Sequence, residues 1–173
     1  MTDIIKLLNS GAVRRWHTNP ALVEHRQNNA EHQWNCAMLL MYLFPDSSKE
    51  LIFATLTHDV GEIDVGDIPG PFKAKNPEIA VALSMAEIRS WMEILGGLIE
   101  FLEISKTYDK SLVLVDKLDA YLFMLKKAPS EKTRNGWPEV RSLLVSMADD
   151  LDVRDKVMGI MTEVEGLDQC PRE

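Results

Sequence analysis

Three side chains of metal-binding type lie on apolar helical faces of this 173-residue chain. His32 opens an apolar helical segment and shares one face with residues at helical spacing, namely Cys36, Leu39, Leu40 and Leu43. His58 and Asp116 repeat this arrangement on two further segments, and Asp59 follows His58 directly. A lone buried carboxylate must be neutralised, find a partner or bind a cation. The pattern therefore brings two imidazoles and two carboxylates into consideration as one site.

Such a donor set indicates a particular kind of metal chemistry. Imidazoles suit Zn, Co, Fe, Ni or Mn, while two carboxylates balance the charge of a divalent ion and moderate its Lewis acidity. A set without thiolates favours an open catalytic site over a closed structural zinc site. The residues leave one alternative open, a buried hydrogen-bonded network of histidines and aspartates with no ion.

Acids and cations near this set are of the types that phosphate chemistry uses. Glu62 lies one turn beyond His58, and Asp67 lies in a loop rich in glycine and proline, so both are candidates for general acid and base work. The alternative is that they are solvated loop acids. Arg15 and Lys73 are cations that could neutralise charge developing on a phosphate, although Lys73 could equally be a surface lysine.

Several other residues have more than one interpretation. Trp16 could pack under the first helix or stack on a base or deoxyribose. His17 and His25 are expected to be surface imidazoles. Asp119 lies three residues after Asp116 and faces roughly the same side of its helix, so spacing does not decide which of the two binds a metal ion.

Helical periodicity dominates the elements that must position these residues, and alternating strand-type runs are nearly absent, so the chain is predicted to be all-α. The first helix should end in a left-handed cap at Gly11, and the third should begin at a cap from Asp46, Ser47 or Ser48. Asn76 should cap the long helix that follows the turn-rich loop over 61–76. The predicted helices cover about 3–10, 29–44, 48–60, 77–98 with a bend near 96–97, 109–128, 138–149 and 152–164.

Composition bounds the class of protein. A hydrophobic content of 46% over 173 residues suits one domain with one core. The net charge of −8 and the lack of a basic run argue against nucleic acid as a partner. Two cysteines suit reduced thiols, and no apolar run approaches the roughly 18 residues that span a bilayer. We therefore expect a soluble cytoplasmic protein with no membrane partner.

Three stretches give the chain a family resemblance. The order and spacing of "AEH" (30–32), "THDVGEIDVGDIPGPFK" (57–73) and "DKLDAYL" (116–122) resemble an HD-domain metal-dependent phosphohydrolase. The resemblance is to small bacterial 5'-deoxynucleotidases and, more closely, to compact phage-encoded dATP triphosphohydrolases. It covers about residues 11–125 and implies a single helical HD domain over 1–173, with C-terminal helices at about 138–164 and a frayed tail over 166–173.

The resemblance also implies roles for particular residues. The implied metal ligands are His32, His58, Asp59 and Asp116. The implied catalytic carboxylates are Glu62 and Asp67, and the implied substrate-binding residues are Arg15, Trp16 and Lys73. One divalent transition metal ion, Zn, Co or Mn, is implied for each site, with additional Mg on the substrate phosphates as a further candidate.

The implied reaction is hydrolysis of a deoxynucleoside triphosphate, with dATP cut to deoxyadenosine and triphosphate by water attack on the α-phosphorus. One alternative is a deoxynucleoside 5'-monophosphatase. Another, of a different class, is a non-catalytic nucleotide-binding regulatory HD domain. The implied partner is a small-molecule nucleotide, and the phage relatives imply a homo-oligomer, with a hexamer as the candidate, in the host cytoplasm if the chain is phage-encoded.

Two departures from the family pattern affect the substrate site. The segment between Arg15 and His32 is longer than in the nucleotidase pattern. Val113 stands where related enzymes have a lysine. The positive charge that this lysine offers to a phosphate would have to be supplied by a neighbouring subunit or by another lysine, Lys75, Lys110 or Lys117.

Overall fold

A computed structural model describes residues 1–96 and 109–167 of the chain. Within these ranges the structure is α-helical, and its only β-type pairing is an isolated antiparallel bridge between Arg14 and Asn28. This confirms the all-α class. The helices are α1 (Ile4–Ser10), α2 (Asn29–Leu43), α3 (Lys49–Thr57), α4 (Glu62–Val65), α5 (Gly70–Lys75), α6 (Pro77–Leu95), α7 (Lys110–Lys127), α8 (Trp137–Asp150) and α9 (Arg154–Leu167).

Helix α7 is the centre of the bundle. It packs against α2 and also contacts α8 and α9, while α3 packs on α2, and α6 contacts α1, α4 and α5. The side chains where these helices meet have almost no exposed surface, as for Leu40, Leu118, Leu144 and Met161. Burying an aliphatic side chain of this size contributes about 1.5–3 kcal/mol. The α2–α7 contact is the one that brings the predicted site residues together.

The helices that carry candidate ligands begin at capping residues. Asn28 Oδ1 accepts from the backbone N–H of Glu31 at 2.9 Å at the start of α2. Ser48 Oγ accepts from the N–H of Leu51 at 3.2 Å, so Ser48 is the cap of α3 among the predicted choices. At α7, Asp109 Oδ1 accepts from the backbone N–H of residue 111 at 2.9 Å. Each cap satisfies an N–H that the first helical turn leaves unpaired.

Several predicted boundaries were wrong. Residues 61–76 are not only a loop, because they form the short helices α4 and α5. Helix α3 ends at Thr57, which leaves His58 and Asp59 on the following turn rather than inside the helix. Helix α9 continues through 166–167, beyond its predicted end at 164. The predicted bend at Gly97, the extension of α6 to Leu98 and residues 168–173 of the predicted tail lie outside the described residues.

Two predicted helix ends also have a different physical basis. Gly11 has a right-handed backbone, with φ −62° and ψ −18°, so it is not a left-handed cap. A Cβ on Gly11 would lie 2.9 Å from the Cβ of Ala30, and this close approach to α2 explains the glycine. Asn76 does not cap α6, because its side-chain amide donates back to the carbonyl of Phe72 at 2.9 Å. In the part of the chain that the structure describes, no helix has the length and apolar character needed to cross a membrane.

Candidate active site

Four predicted ligands from three parts of the chain converge at one point. His32 lies on the first turn of α2, His58 and Asp59 on the turn after α3, and Asp116 on the second turn of α7. His32 Nε2 is 3.1 Å from Asp116 Oδ1 and 3.5 Å from Asp59 Oδ2. His58 Nε2 is 3.4 Å from the same Asp59 oxygen and 4.0 Å from the same Asp116 oxygen. The four donor atoms therefore face one another.

These separations match what a bound ion requires. Zinc binds nitrogen and carboxylate oxygen at about 2.0–2.2 Å, which places two donors on the same ion roughly 3 to 4 Å apart. All four nitrogen–oxygen distances lie in that range, between 3.1 and 4.0 Å. The donor set fits a divalent transition metal ion without any rearrangement of the backbone.

The two imidazoles are oriented by hydrogen bonds at their other nitrogen. His58 Nδ1 donates to the carbonyl of Thr55 at 2.8 Å, and His32 Nδ1 donates to Asp119 Oδ2 at 2.6 Å. A proton held on Nδ1 leaves a lone pair on Nε2, which is the usual arrangement of a metal-binding histidine. His58 Nε2 is buried and has no hydrogen-bond partner among the described residues. A cation would satisfy this atom, whereas a network of histidines and aspartates alone leaves it unpaired.

Cys36 also approaches this cluster. Donor atoms of His32, Cys36 and His58 lie within 4.8 Å of one another. The Cys36 sulfur is 3.7 Å from each of the two ring nitrogens of His32, so it is no nearer to Nε2 than to Nδ1. Burial raises the pKa of this thiol to about 11, and the thiol donates to the carbonyl of Val115. The two histidines and two aspartates remain the candidate donor set, and the buried thiol of Cys36 also belongs to the hydrophobic core.

The protonation of the imidazole of His32 depends on the groups around it. Burial and then the charge of Arg15 oppose its charged form, whereas the hydrogen bonds to Asp116 and Asp119 favour it, and the balance raises its pKa well above the ordinary value. Burial likewise opposes the charge of Asp116, but the hydrogen bond with His32 holds the pKa of this carboxyl well below its usual range. In the absence of an ion, a proton takes the place of the positive charge that the carboxylates require.

Arg15 brings a buried guanidinium to the same carboxylates. Its Nη1 donates to Asp59 Oδ2 at 2.8 Å, and only 11% of its side chain is exposed. Burial lowers its pKa, but the charges of four acids, Asp59, Asp116, Asp67 and Glu62, outweigh this effect and raise it. Within the described residues, its Nε is buried without a hydrogen-bond partner. Arg15 therefore has a free donor beside the four converging ligands.

The predicted acid–base residues lie near these ligands. Glu62 begins α4, is 6% exposed and accepts from Asn29 Nδ2 at 2.8 Å. Burial, followed by the charge of Asp59, raises the pKa of Glu62 to about 8. Asp67 contributes to the pKa shifts of both Glu62 and Arg15, which places it within electrostatic reach of the site. A carboxyl with a raised pKa in a cleft is a suitable candidate for proton transfer.

Lys73 is not among these contacts. It lies on α5, and its Nζ donates to Glu87 Oε1 of α6 at 3.1 Å. The two side chains are 28% and 22% exposed, so they form a half-buried ion pair. A phosphate that engages Lys73 would have to compete with Glu87.

Trp16 packs in an aromatic cluster. Its ring is parallel to that of Phe123 on α7, with centroids 5.9 Å apart, and lies 6.0 Å from the ring of Trp137 on α8. Its backbone has φ 61°, a left-handed conformation that a non-glycine residue rarely adopts. The indole Nε1 donates to Gln27 Oε1 at 2.6 Å, so the ring is held on two sides.

The sequence did not reveal two of the polar residues around the site, Gln27 and Asn29, and left the role of Asp119 open. Gln27 and Asn29 are fully buried, and Asp119 binds the far nitrogen of His32 rather than its Nε2. Asn29 donates to Glu62 and also to the carbonyl of Asp59 at 3.3 Å. The three-residue spacing from Asp116 was a signal for Asp119, but Gln27 and Asn29 lie in a polar stretch that gives no such signal. The imidazoles of residues 17 and 25 are exposed, as expected.

Comparisons with known proteins relate the chain to one family and to one solved structure of the same fold. A family model described as 5'-deoxynucleotidase YfbR-like matches residues 4–130, which include every candidate site residue. A solved structure, the cyanophage S-2L HD phosphohydrolase (DatZ) bound to dA and one catalytic Zn²⁺ ion, aligns with a TM-score of 0.67. The alignment covers 96% of this chain and 98% of that chain, at 20% sequence identity, and thus shows a shared fold. A comparison with curated proteins found no match.

Proposed function

Because the chain belongs to the YfbR-like 5'-deoxynucleotidase family, and is therefore an HD-domain phosphohydrolase, we propose that it cleaves deoxynucleotides at the α-phosphorus with a divalent transition metal ion. The observation that carries the proposal is the convergence of four donor atoms from α2, the turn after α3, and α7. The residues that would hold the ion are His32, His58, Asp59 and Asp116. When bound, the ion supplies Lewis acidity to the phosphoryl group and lowers the pKa of water.

The protein groups around the ion have separate tasks. Arg15 has an unpaired buried Nε beside Asp59 and is suited to donate to a phosphoryl oxygen. Glu62 can accept the proton of the attacking water and pass it on to the leaving 5'-oxygen, and Asp67 is the second carboxylate proposed for this proton transfer. Lys73 contributes only when a phosphate displaces Glu87. Trp16 provides a rigid wall for the nucleoside.

The proposed substrate is dATP. Water adds to the α-phosphorus, the bond from that phosphorus to the 5'-oxygen breaks, and the 5'-oxygen takes up a proton, so that dATP and water yield deoxyadenosine and triphosphate. The shared fold with a phage HD phosphohydrolase solved with dA and zinc supports an adenine deoxynucleoside as the leaving group. Zinc is the proposed ion, and cobalt or manganese would suit the same donors.

A deoxynucleoside 5'-monophosphatase is the second candidate, and it breaks the same bond. The description of the matching family model favours it. The charge of the site also favours it: four acids act on Arg15, and Lys73 is engaged by Glu87. A triphosphate would therefore need a further cation, such as Mg²⁺, on its phosphates.

The test is a product analysis with both substrates. Purified protein loaded with Zn, Co or Mn is incubated with dATP and with dAMP, and triphosphate, phosphate and deoxyadenosine are measured. Triphosphate from dATP supports the proposal, and phosphate from dAMP alone selects the second candidate. His58→Ala should abolish turnover, whereas the matched control His25→Ala, at an exposed histidine, should retain it. Full metal occupancy with no hydrolysis of either substrate would overturn both candidate functions.

We also propose that the chain self-associates in the cytoplasm, with a hexamer as the candidate assembly. Large apolar side chains are exposed on α2 and α6, including Trp34 and Tyr42 on the first and Val81 and Met85 on the second. Exposed apolar surface of this kind is typical of protein interfaces. Light scattering on the purified chain gives the oligomeric state directly.

A further inference from the structure

We propose that Asp119 is a positioning residue for the metal site, and that Gln27 connects it to Trp16, so that the nucleoside wall and the ligand His32 are held by one hydrogen-bond chain. The inference rests on the proposed metal site. It assigns a role to two buried residues, Asp119 and Gln27, that contact neither the ion nor the substrate.

Asp119 accepts three hydrogen bonds from other side chains. Its Oδ2 accepts from His32 Nδ1 at 2.6 Å and from Gln27 Nε2 at 2.9 Å, and its Oδ1 accepts from Asn35 Nδ2 at 2.9 Å. Only 4% of the residue is exposed. An ionised carboxylate offers about four acceptor positions, and three of these positions are filled in Asp119. The carboxylate therefore cannot rotate without breaking a buried hydrogen bond, which is costly.

Helix α7 holds the His32 ring at both nitrogens. Asp116 and Asp119 are three residues apart and so lie on the same face of α7. Asp116 Oδ1 is 3.1 Å from Nε2, and Asp119 Oδ2 is 2.6 Å from Nδ1. The first carboxylate would share the ion with His32, and the second fixes the ring and increases the basicity of Nε2. One turn of α7 thus provides one proposed metal ligand, Asp116, and fixes the orientation of another, His32.

Gln27 connects Asp119 to Trp16, the proposed wall of the nucleoside site. Its amide is fully buried, with Nε2 donating to Asp119 and Oε1 accepting from the indole Nε1 of Trp16 at 2.6 Å. Both ends of the amide are used, so its orientation is fixed. Trp16 is itself immobilised by its parallel contact with Phe123. A displacement of the indole would reach His32 through two buried residues, Gln27 and Asp119.

A purely structural network predicts something different. If these hydrogen bonds only stabilise the fold, removing them lowers stability and leaves the metal environment unchanged. If they position His32, removing them changes the ligand field of the ion even in molecules that are fully folded. The absorption spectrum of bound Co²⁺ reports this difference, because its visible bands depend on the geometry of the ligands.

The experiment uses the full chain loaded with Co²⁺. Asp119→Asn keeps the size of the side chain but replaces one acceptor oxygen with a donor, so it cannot accept from all three partners. Its Co²⁺ affinity is expected to fall about 10- to 100-fold, with altered visible bands. Gln27→Met preserves side-chain length and removes both amide contacts, and it should change the bands with a smaller loss of affinity. Asp109→Asn, at the cap of the same helix, is the matched control.

Trp16→Phe tests the end of the hydrogen-bond chain that lies farthest from the proposed ion. It keeps an aromatic ring against Phe123 but removes the Nε1 donor to Gln27. We expect a shift in the Co²⁺ bands, together with a fall in kcat, although no ligand is altered. Asp109→Asn keeps an oxygen that can cap α7 and should leave the bands unchanged.

The outcomes separate this inference from the proposed function. If the wild-type chain binds Co²⁺ with ligand-field bands, but Asp119→Asn and Gln27→Met retain its affinity and spectrum while folded, the positioning role is refuted and the metal site stands. If the wild-type chain binds no Co²⁺, both the positioning role and the proposed metal site are refuted. If the Asp119 variant does not fold, Gln27→Met and Trp16→Phe decide, because unchanged bands in both would refute the chain of contacts.

Discussion

Adding a single methyl group at Gly61 should lower both the stability and the activity of the protein. Gly61 lies between Asp59 and Glu62, with φ −64° and ψ −20°, a conformation that alanine adopts easily. The obstacle is space, because a Cβ at this position would lie 2.1 Å from the carbonyl oxygen of Glu87 and 2.8 Å from its carbonyl carbon. These are backbone atoms in the middle of α6. They cannot move aside as the end of a flexible side chain could.

The size of the effect follows from this geometry. To reach the 3.4 Å at which ordinary contact begins, the turn at Gly61 and α6 must separate by about 1.3 Å. Overpacking of this kind costs typically about 1–3 kcal/mol, occasionally more. The gain from a less flexible unfolded chain, about 0.4–1 kcal/mol, does not offset it. We expect Gly61→Ala to reduce the free energy of unfolding by about 2 kcal/mol. A displacement near 1 Å at Glu62 would also reduce kcat by roughly 100-fold.

Urea unfolding and steady-state kinetics on Gly61→Ala check both effects. Gly70→Ala is the matched control from the same segment, since a Cβ there meets no atom within 4 Å among the described residues. It should retain activity and keep or slightly raise the unfolding midpoint. A Gly61→Ala protein with the midpoint and kcat of the wild type would show that α6 does not approach this turn as closely as the structure requires.

Three further predictions concern the ion and the charges around it. Dialysis against a chelator should lower the thermal midpoint, since an ion at 100 times its Kd stabilises the folded state by about 2.7 kcal/mol, and added zinc should restore it in a thermal melt. In metal-free protein, the folded-state pKa of Glu62, about 8, exceeds its ordinary value of 4.5. The folded state therefore binds the extra proton, and urea titrations should show stability falling as pH rises from about 4.5 to 8, a slope that Glu62→Gln should reduce. Arg15→Met keeps apolar bulk but removes the guanidinium beside Asp59, and kcat/KM should fall by about 100-fold or more, with partial recovery in Arg15→Lys.

The sequence drew attention to three of the four candidate ligands because each of these three breaks a local rule. His32 and Asp116 are polar residues on otherwise apolar helical faces, and such exceptions are visible without a structure. The capping signal over Asp46, Ser47 and Ser48 predicted where α3 begins, and the structure places the cap at Ser48. Local signals of this kind were sufficient to predict the helical class and to bring these residues into consideration as one site, whereas the choice of Asp116 over Asp119 came from the family resemblance.

The residues that support the site could not be predicted in the same way. Gln27 and Asn29 belong to a polar stretch, where another polar residue breaks no pattern, and their burial arises only when α2 packs against α7 and the turn after α3. The partner of Lys73 is Glu87, fourteen residues further along and on another helix. Gly61 gives no sign in the sequence that α6 crosses its turn at contact distance. These features depend on how distant elements meet, which periodicity does not encode.

The charge of the site connects its chemistry to its folding. Four carboxylates, Asp59, Glu62, Asp67 and Asp116, act on one buried guanidinium, that of Arg15, and this leaves an excess of negative charge where water is largely excluded. Without an ion, the protein compensates by holding protons, as the raised pKa of Glu62 and of His32 shows. A divalent ion would replace those protons and release Glu62 in the ionised form that a general base requires. The ion that the chemistry requires should therefore also remove the main electrostatic cost of folding this cluster, so loss of metal affinity and loss of stability should change together across ligand variants.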